Sequence, residues 1–157
     1  MLIINLLFAC NFNPSKTAPN NNPNDSDSCA VQSLFSGADS TIYGVAAQSG
    51  MSTFCLITDQ GDTLLLTRTS EDGTEGKIYG DLILGQRFGV ITGDEGESLV
   101  CAINITELTK HIEHVRVQNA KVYLLSENME QSAPVEIIVL NQDSCVIMGA
   151  TGRQVFK

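Results

Sequence analysis

From Ala38 onward the chain breaks into short runs of β-branched and other apolar residues, each closed by Gly, Asp or Asn. That rhythm is the tightest constraint on what it can fold into. Runs at 41–47, 53–58, 63–68, 76–83, 87–92, 98–105, 115–126, 135–140, 144–149 and 153–157 read as strands. Many short strands at close spacing predict an all-β barrel or sandwich rather than βαβ units. Residues 98–105 alternate most cleanly, with Leu99, Cys101, Ile103 and Ile105 on one face. Residues 53–58, Thr-Phe-Cys-Leu-Ile-Thr, are apolar on both faces and are expected to be covered on both. Asp59-Gln60-Gly61-Asp62 predicts a turn into 63–68, and Asn141-Gln142-Asp143 a second hairpin. The parity of the apolar positions shifts between Val117 and Val122, which predicts a bulge near Asn119. Only Ile105–His114 has helical character, with Thr106 as the expected cap.

The formal charge is −9, and nine of the 18 acids lie between Asp59 and Glu97 with only Arg68, Lys77 and Arg87 among them. A nucleic-acid binder needs cations to displace counterions from phosphate. This chain has the opposite sign, no Trp and 6% aromatic residues, so nucleic acid is not an expected partner.

Residues 1–10 are apolar except for Asn5 and end in Leu7-Phe8-Ala9-Cys10. The stretch is far shorter than the roughly 20 residues that span a bilayer and matches the apolar part of a signal peptide. Three of the four prolines follow within residues 11–29, among Asn, Asp and Ser. Such a composition buries too little apolar surface to offset its ordering entropy and is expected to act as a linker.

Leu7-Phe8-Ala9-Cys10 resembles the lipobox of bacterial lipoproteins, although the basic start of their signals has no counterpart in residues 1–9. The resemblance implies cleavage before Cys10 and a diacylglycerol on its sulfur. Residues 1–9 would then be a signal-peptide remnant, 10–37 a lipidated cysteine with a disordered tether, and 38–157 a single β-barrel domain. It implies a place in the bacterial cell envelope, facing the periplasm or at the outer membrane, with the lipid anchor joining protein to membrane.

A second resemblance concerns the body. Thr41–Val45, Leu56–Asp59, Gly61–Leu64 and the glycine-punctuated Gly80–Val90 look like the first strands of an OB-like barrel. The acidic residue usual after the second corner glycine is Gln86 here. The fold expected is therefore all-β, a small antiparallel OB-like barrel with extra C-terminal hairpins. A lipocalin-like barrel or a β-sandwich would use the same strands.

Candidate chemistry is sparse. His111 and His114 are the only histidines and would share a helical face as a metal pair. The competing reading is a solvated helix end. Export would make disulfides permissible, and Cys55 and Cys101, both in expected strands, could pair; the alternative is buried free thiols. Asp59/Asp62 and Asp94/Glu95/Glu97 carry oxygen ligands suited to calcium but lack its loop spacing, and ordinary turns use the same residues. No Gly-x-Ser-x-Gly, Gly-x-x-x-x-Gly-Lys or His-Glu-x-x-His motif occurs. No cofactor and no catalytic residue is assigned. The expectation is a non-catalytic binding or accessory lipoprotein with an envelope protein or glycan as partner. The alternative is an envelope metal-handling or stress-sensing lipoprotein that uses His111 and His114.

Overall fold

Alternation builds the first hairpin. In β2 (Thr53–Thr58) Phe54 and Leu56 are fully buried, while Cys55 and Ile57 point to the opposite face. Gly61, at φ 91°, makes the turn into β3 (Thr63–Thr67), whose Leu66 joins the same core. The computed structural model describes residues 38–93 and 96–157, and Ala38–Lys157 forms one unit. The segment through Gly37, with Cys10 and Cys29, lies outside the described residues, and so do Asp94 and Glu95.

The unit is all-β apart from one short helix, in two sheets. The first adds β1 (Ile42–Ser49), β4 (Lys77–Tyr79), β5 (Arg87–Thr92) and β6 (Leu99–Asn104) in the order β3-β2-β1-β5-β6-β4. Its pairs are antiparallel except β4 with β6. The second is an antiparallel meander, β11-β10-β9-β8-β7, from β7 (Val115–Gln118), β8 (Lys121–Leu125), β9 (Gln131–Leu140), β10 (Cys145–Gly149) and β11 (Gly152–Phe156).

β3 and β4 lie along the same edge of β6. Ser98 accepts from Gly93 N on its β5 side, and Thr67 bridges Ser98 in parallel. Farther along, Lys77–Tyr79 pair with Cys101–Ile103. Gly76 permits the return, because a Cβ there would sit 2.2 Å from the Leu99 carbonyl oxygen.

β6 is the wall between two cores. Leu99 and Ala102 pack with Phe54, Leu56, Leu66, Phe88 and Val90, where the rings of Phe54 and Phe88 meet edge to face at 5.4 Å. Cys101 and Ile103 face the other way, onto Leu108, Val117, Val122, Ile137 and Ile147. Two-sided burial explains why this strand has so few polar residues.

The local expectations need correction at five places, the first in β6, where a register shift opposite Ile91 and Thr92 turns Leu99 to the Phe54 core and away from Cys101 and Ile103, with which strict alternation groups it. The shift near Asn119 is a two-residue hairpin turn, not a bulge: Asn119 and Ala120 have φ 50° and 54° and join β7 to β8. The helix α1 (Ile105–His111) is capped by Asn104, whose side chain accepts from Glu107 N, and Thr106 instead accepts from Arg87 N. Helical geometry stops at His111, since Ile112 is extended at φ −129°. Expected strand 76–83 contracts to Lys77–Tyr79 because Gly80 turns left-handed at φ 94° and Asp81 N donates to Glu107.

Candidate binding face

The outer face of β1, β2 and β3 carries an uncovered apolar row. Register places Val45 beside Ile57, Ile57 beside Thr63, and Cys55 beside Leu65. Their neighbours Ala46, Phe54, Leu56 and Leu66 are buried, so period two sends this set outward. Val45 is 37% exposed, Ile57 46% and Leu65 63%. The expected two-sided cover of 53–58 is thus half formed. One face is core, and the other ends at the surface of the described residues. Gly44 lets β1 and β2 close up, since a Cβ there would lie 2.3 Å from the Ile57 carbonyl oxygen.

Polar groups frame the row on the β5 side. Arg87, paired with Val45 across the sheet, donates from both terminal nitrogens to Asp59, at 2.9 and 2.6 Å. The fork geometry raises the Arg87 pKa and lowers that of Asp59 through the same hydrogen bonds. The guanidinium carbon also stands 5.8 Å from the centre of the Tyr43 ring. The Tyr43 hydroxyl lies 2.6 Å from Asp39 Oδ2 and 2.6 Å from the Val117 carbonyl, so one proton serves two acceptors. Burial and the Asp39 carboxylate push this phenol up to about 12.

At the far end of β3 a polar cleft of about 510 Å³ opens between the 69–72 loop and the start of β6. Thr67, Ser70, Glu71, Asp72, Glu97 and Ser98 are among the residues lining it. Asp72 Oδ1 accepts from Ser70 Oγ and from Thr74 N, which shapes the loop and holds its carboxyl below the usual range.

The second sheet also meets the first at a groove of about 280 Å³. Tyr79, Ile103, Val122 and Ile137 are in its walls, with Lys121 and Glu136 beside them.

The residues singled out from sequence are scattered. His111 Nε2 lies 3.0 Å from the Asn141 carbonyl, which suits a donating N–H rather than a metal ligand. His114 comes after the extended Ile112, so the shared helical face required for a pair is not built. Cys55, Cys101 and Cys145 are free thiols. β2 and β6 stand at least two strand spacings apart, about 10 Å. A disulfide needs Cα atoms within about 7 Å, so the Cys55–Cys101 bridge does not form. Among the described residues no group of three His, Cys, Asp or Glu side chains converges as a metal site. Asp59, a candidate calcium ligand, is occupied by Arg87. Cys10, the expected lipidation site, lies outside the described residues.

The apolar row has a trace in the sequence at Thr53–Thr58, the run with two apolar faces. The Arg87–Asp59–Tyr43 frame has none, because it joins three distant segments through spatial proximity alone. No family model, no curated protein and no solved structure matches the chain.

Proposed function

We propose that this chain is a non-catalytic binding or accessory lipoprotein of the bacterial cell envelope, held to the membrane by lipid on Cys10, with the outer face of β1–β3 as its binding surface. The observation that carries the reading is the exposure of Ile57 and Leu65 on adjacent strands whose other faces carry the fully buried Phe54, Leu56 and Leu66. Contiguous aliphatic exposure on a sheet has a desolvation benefit that a partner collects. The anchor rests on Leu7-Phe8-Ala9-Cys10 and the proline-rich, polar composition that follows it. Two or more lipid chains would be needed for stable attachment, since one is marginal.

The first sheet is best read as an OB-like barrel. The reading is supported by β3 and β4 both lying against the edge of β6 that faces away from β5, which brings the two ends of the sheet order together. Antiparallel β1–β5 and β5–β6 pairs with a parallel β3–β6 contact are the pairings expected of such closure.

The test is labelling in cells of a bacterial host. Palmitate should enter the wild-type protein and not Cys10→Ser, and the mature amino terminus should be Cys10. A photo-crosslinker at position 65 should give an envelope adduct that one at exposed Gln142 does not. A soluble product that keeps Met1, or equal adducts from both positions, would sink the reading.

A further inference from the structure

The binding reading leaves the partner open, and the surface itself narrows it. We propose that the edge of β3, with the apolar row beside it and the acidic cleft at its end, receives an extended cationic polypeptide segment; this rests on the binding-module reading above.

Three observations converge. The first is a strand edge. Thr67 N donates to the Glu97 carbonyl, away from β2. Residues two apart in a strand send their N–H and C=O groups the same way. Thr63 and Leu65 therefore direct theirs along that edge too, and among the described residues no strand pairs with them there. An edge of this kind accepts an added strand through main-chain hydrogen bonds.

The second is side-chain chemistry on the same strip. Leu65 and Ile57 stand exposed beside the edge, so an added strand would place alternate apolar side chains over them. Exposed aliphatic groups and main-chain donors favour a peptide over a glycan, which would call for flat aromatic faces and hydroxyl partners. No aromatic residue lines the cleft.

The third is charge. Glu71, Asp72 and Glu97 line the cleft, and no Lys or Arg does. The nearby Arg68 reaches Glu75 at 4.0 Å. The segment from Asp59 to Glu97 carries nine acids against three bases. A partner entering here gains by bringing positive charge, while an anionic lipid, nucleic acid or acidic peptide is repelled.

The probe is a labelled peptide of about ten residues with alternating Lys and Val, titrated by fluorescence anisotropy against the full chain. Glu–Val and Lys–Ser peptides serve as controls. The Lys–Val peptide should bind and the Glu–Val peptide should not. Glu71→Gln/Asp72→Asn/Glu97→Gln should weaken binding by about tenfold and flatten its dependence on salt between about 0.05 and 0.5 M. Leu65→Ser, at an exposed position, should weaken it while the circular dichroism spectrum is unchanged. Lys–Ser binding as tight as Lys–Val, a triple variant within about twofold of wild type, or no Lys–Val binding would overturn the proposal. A position-65 adduct with a glycan or a second copy of the chain would overturn it too, yet leave the binding-module reading standing. Loss of palmitate labelling bears on the anchor alone.

Discussion

Ser40 donates both its backbone N–H and its hydroxyl to Asn119 Oδ1, at 2.7 and 2.8 Å, across 79 residues of chain. Asn119 N in turn donates to Thr41 Oγ1 at 2.7 Å and to Asp39 Oδ1 at 3.1 Å. The entry to β1 is thus clasped to the β7–β8 turn of the second sheet. A force transmitted along the chain from its amino-terminal side meets this clasp before it meets either core.

The clasp makes Asn119 and Ala120 separable. Asn119→Gly keeps the left-handed backbone but removes the acceptor for Ser40, and should cost about 1 kcal/mol. Asn119→Ala removes both and should cost about 2 kcal/mol. Ala120→Gly relieves a left-handed alanine and should stabilise by up to about 1 kcal/mol, less what its methyl loses in packing. Urea unfolding midpoints of the three variants check the order; an Asn119→Ala variant as stable as Asn119→Gly would remove the backbone part of the argument.

Much of this architecture is legible in the sequence because burial on one face leaves a period of two. β2, β3, β5, β6 and β10 appear within a residue or two of where alternation places them. The β7–β8 turn reads as a bulge because Asn-Ala lacks the glycine that usually marks a two-residue hairpin. Asn104 is hard to recognise as a cap because it ends a strand and starts a helix at once. The uncovered row stays hidden for a different reason. Composition shows that Cys55 and Ile57 are apolar, but whether another layer covers them is decided by where the second sheet packs. That sheet packs on the β6 side through Ile103 and leaves β1–β3 bare.

Tyr43 predicts an alkaline weakness. Its phenol sits at about 12 in the folded protein, because of burial and Asp39, against an ordinary value near 10. Between those values the folded state holds a proton that the unfolded state has released. The stability it contributes is therefore complete below pH 10 and is lost as pH rises through about 12. Tyr43→Phe should cost about 1 kcal/mol at neutral pH and show a flatter decline above pH 10. Asp39 acts in the opposite range. Burial raises its pKa, but hydrogen bonds from Tyr43, Thr41 and Asn119 outweigh that and leave it lowered, so its contribution holds above the ordinary carboxylate range and fades in acid. Chemical denaturation across pH 3–11 of wild type and Tyr43→Phe reads both limbs; parallel curves above pH 10 would refute the assignment to Tyr43.

The thiols should sort by layer. Burial pushes Cys101 up to about 11 and raises Cys145, and both lie in the core between the sheets. Cys55 is half-buried on the bare face beside Leu65. Iodoacetamide at pH 8 under native conditions should mark Cys55 while sparing Cys101 and Cys145, as read by peptide mass mapping. A bulky maleimide on Cys55 should also weaken the Lys–Val peptide. Equal labelling of Cys101 would mean that β6 is not the shared wall described.

Asn104 joins the helix to the glycine corner and gives the sharpest single-residue test. It is fully buried, and each polar atom of its side chain is used. Oδ1 caps α1 by accepting from Glu107 N at 3.0 Å, and Nδ2 donates to the Asp81 carbonyl at 2.9 Å and to Gln86 Oε1. Glu107 completes the loop by accepting from Asp81 N at 2.9 Å. Gly80 makes room, since a Cβ there would lie 2.5 Å from the Asn104 Cβ. Asn104→Ala loses the cap and strands two acceptors, and should cost about 2–3 kcal/mol. Asn104→Asp is nearly isosteric and keeps the capping oxygen, so a picture in which capping alone matters predicts little change. The amide donor is gone in that variant, and a second carboxyl group stands beside Glu107 and two carbonyl-type acceptors. It should therefore lose at least as much stability as Asn104→Ala at neutral pH. Thermal unfolding of the two variants side by side decides it: an Asn104→Asp protein close to wild type would show that the corner is held by the cap and not by the amide donor.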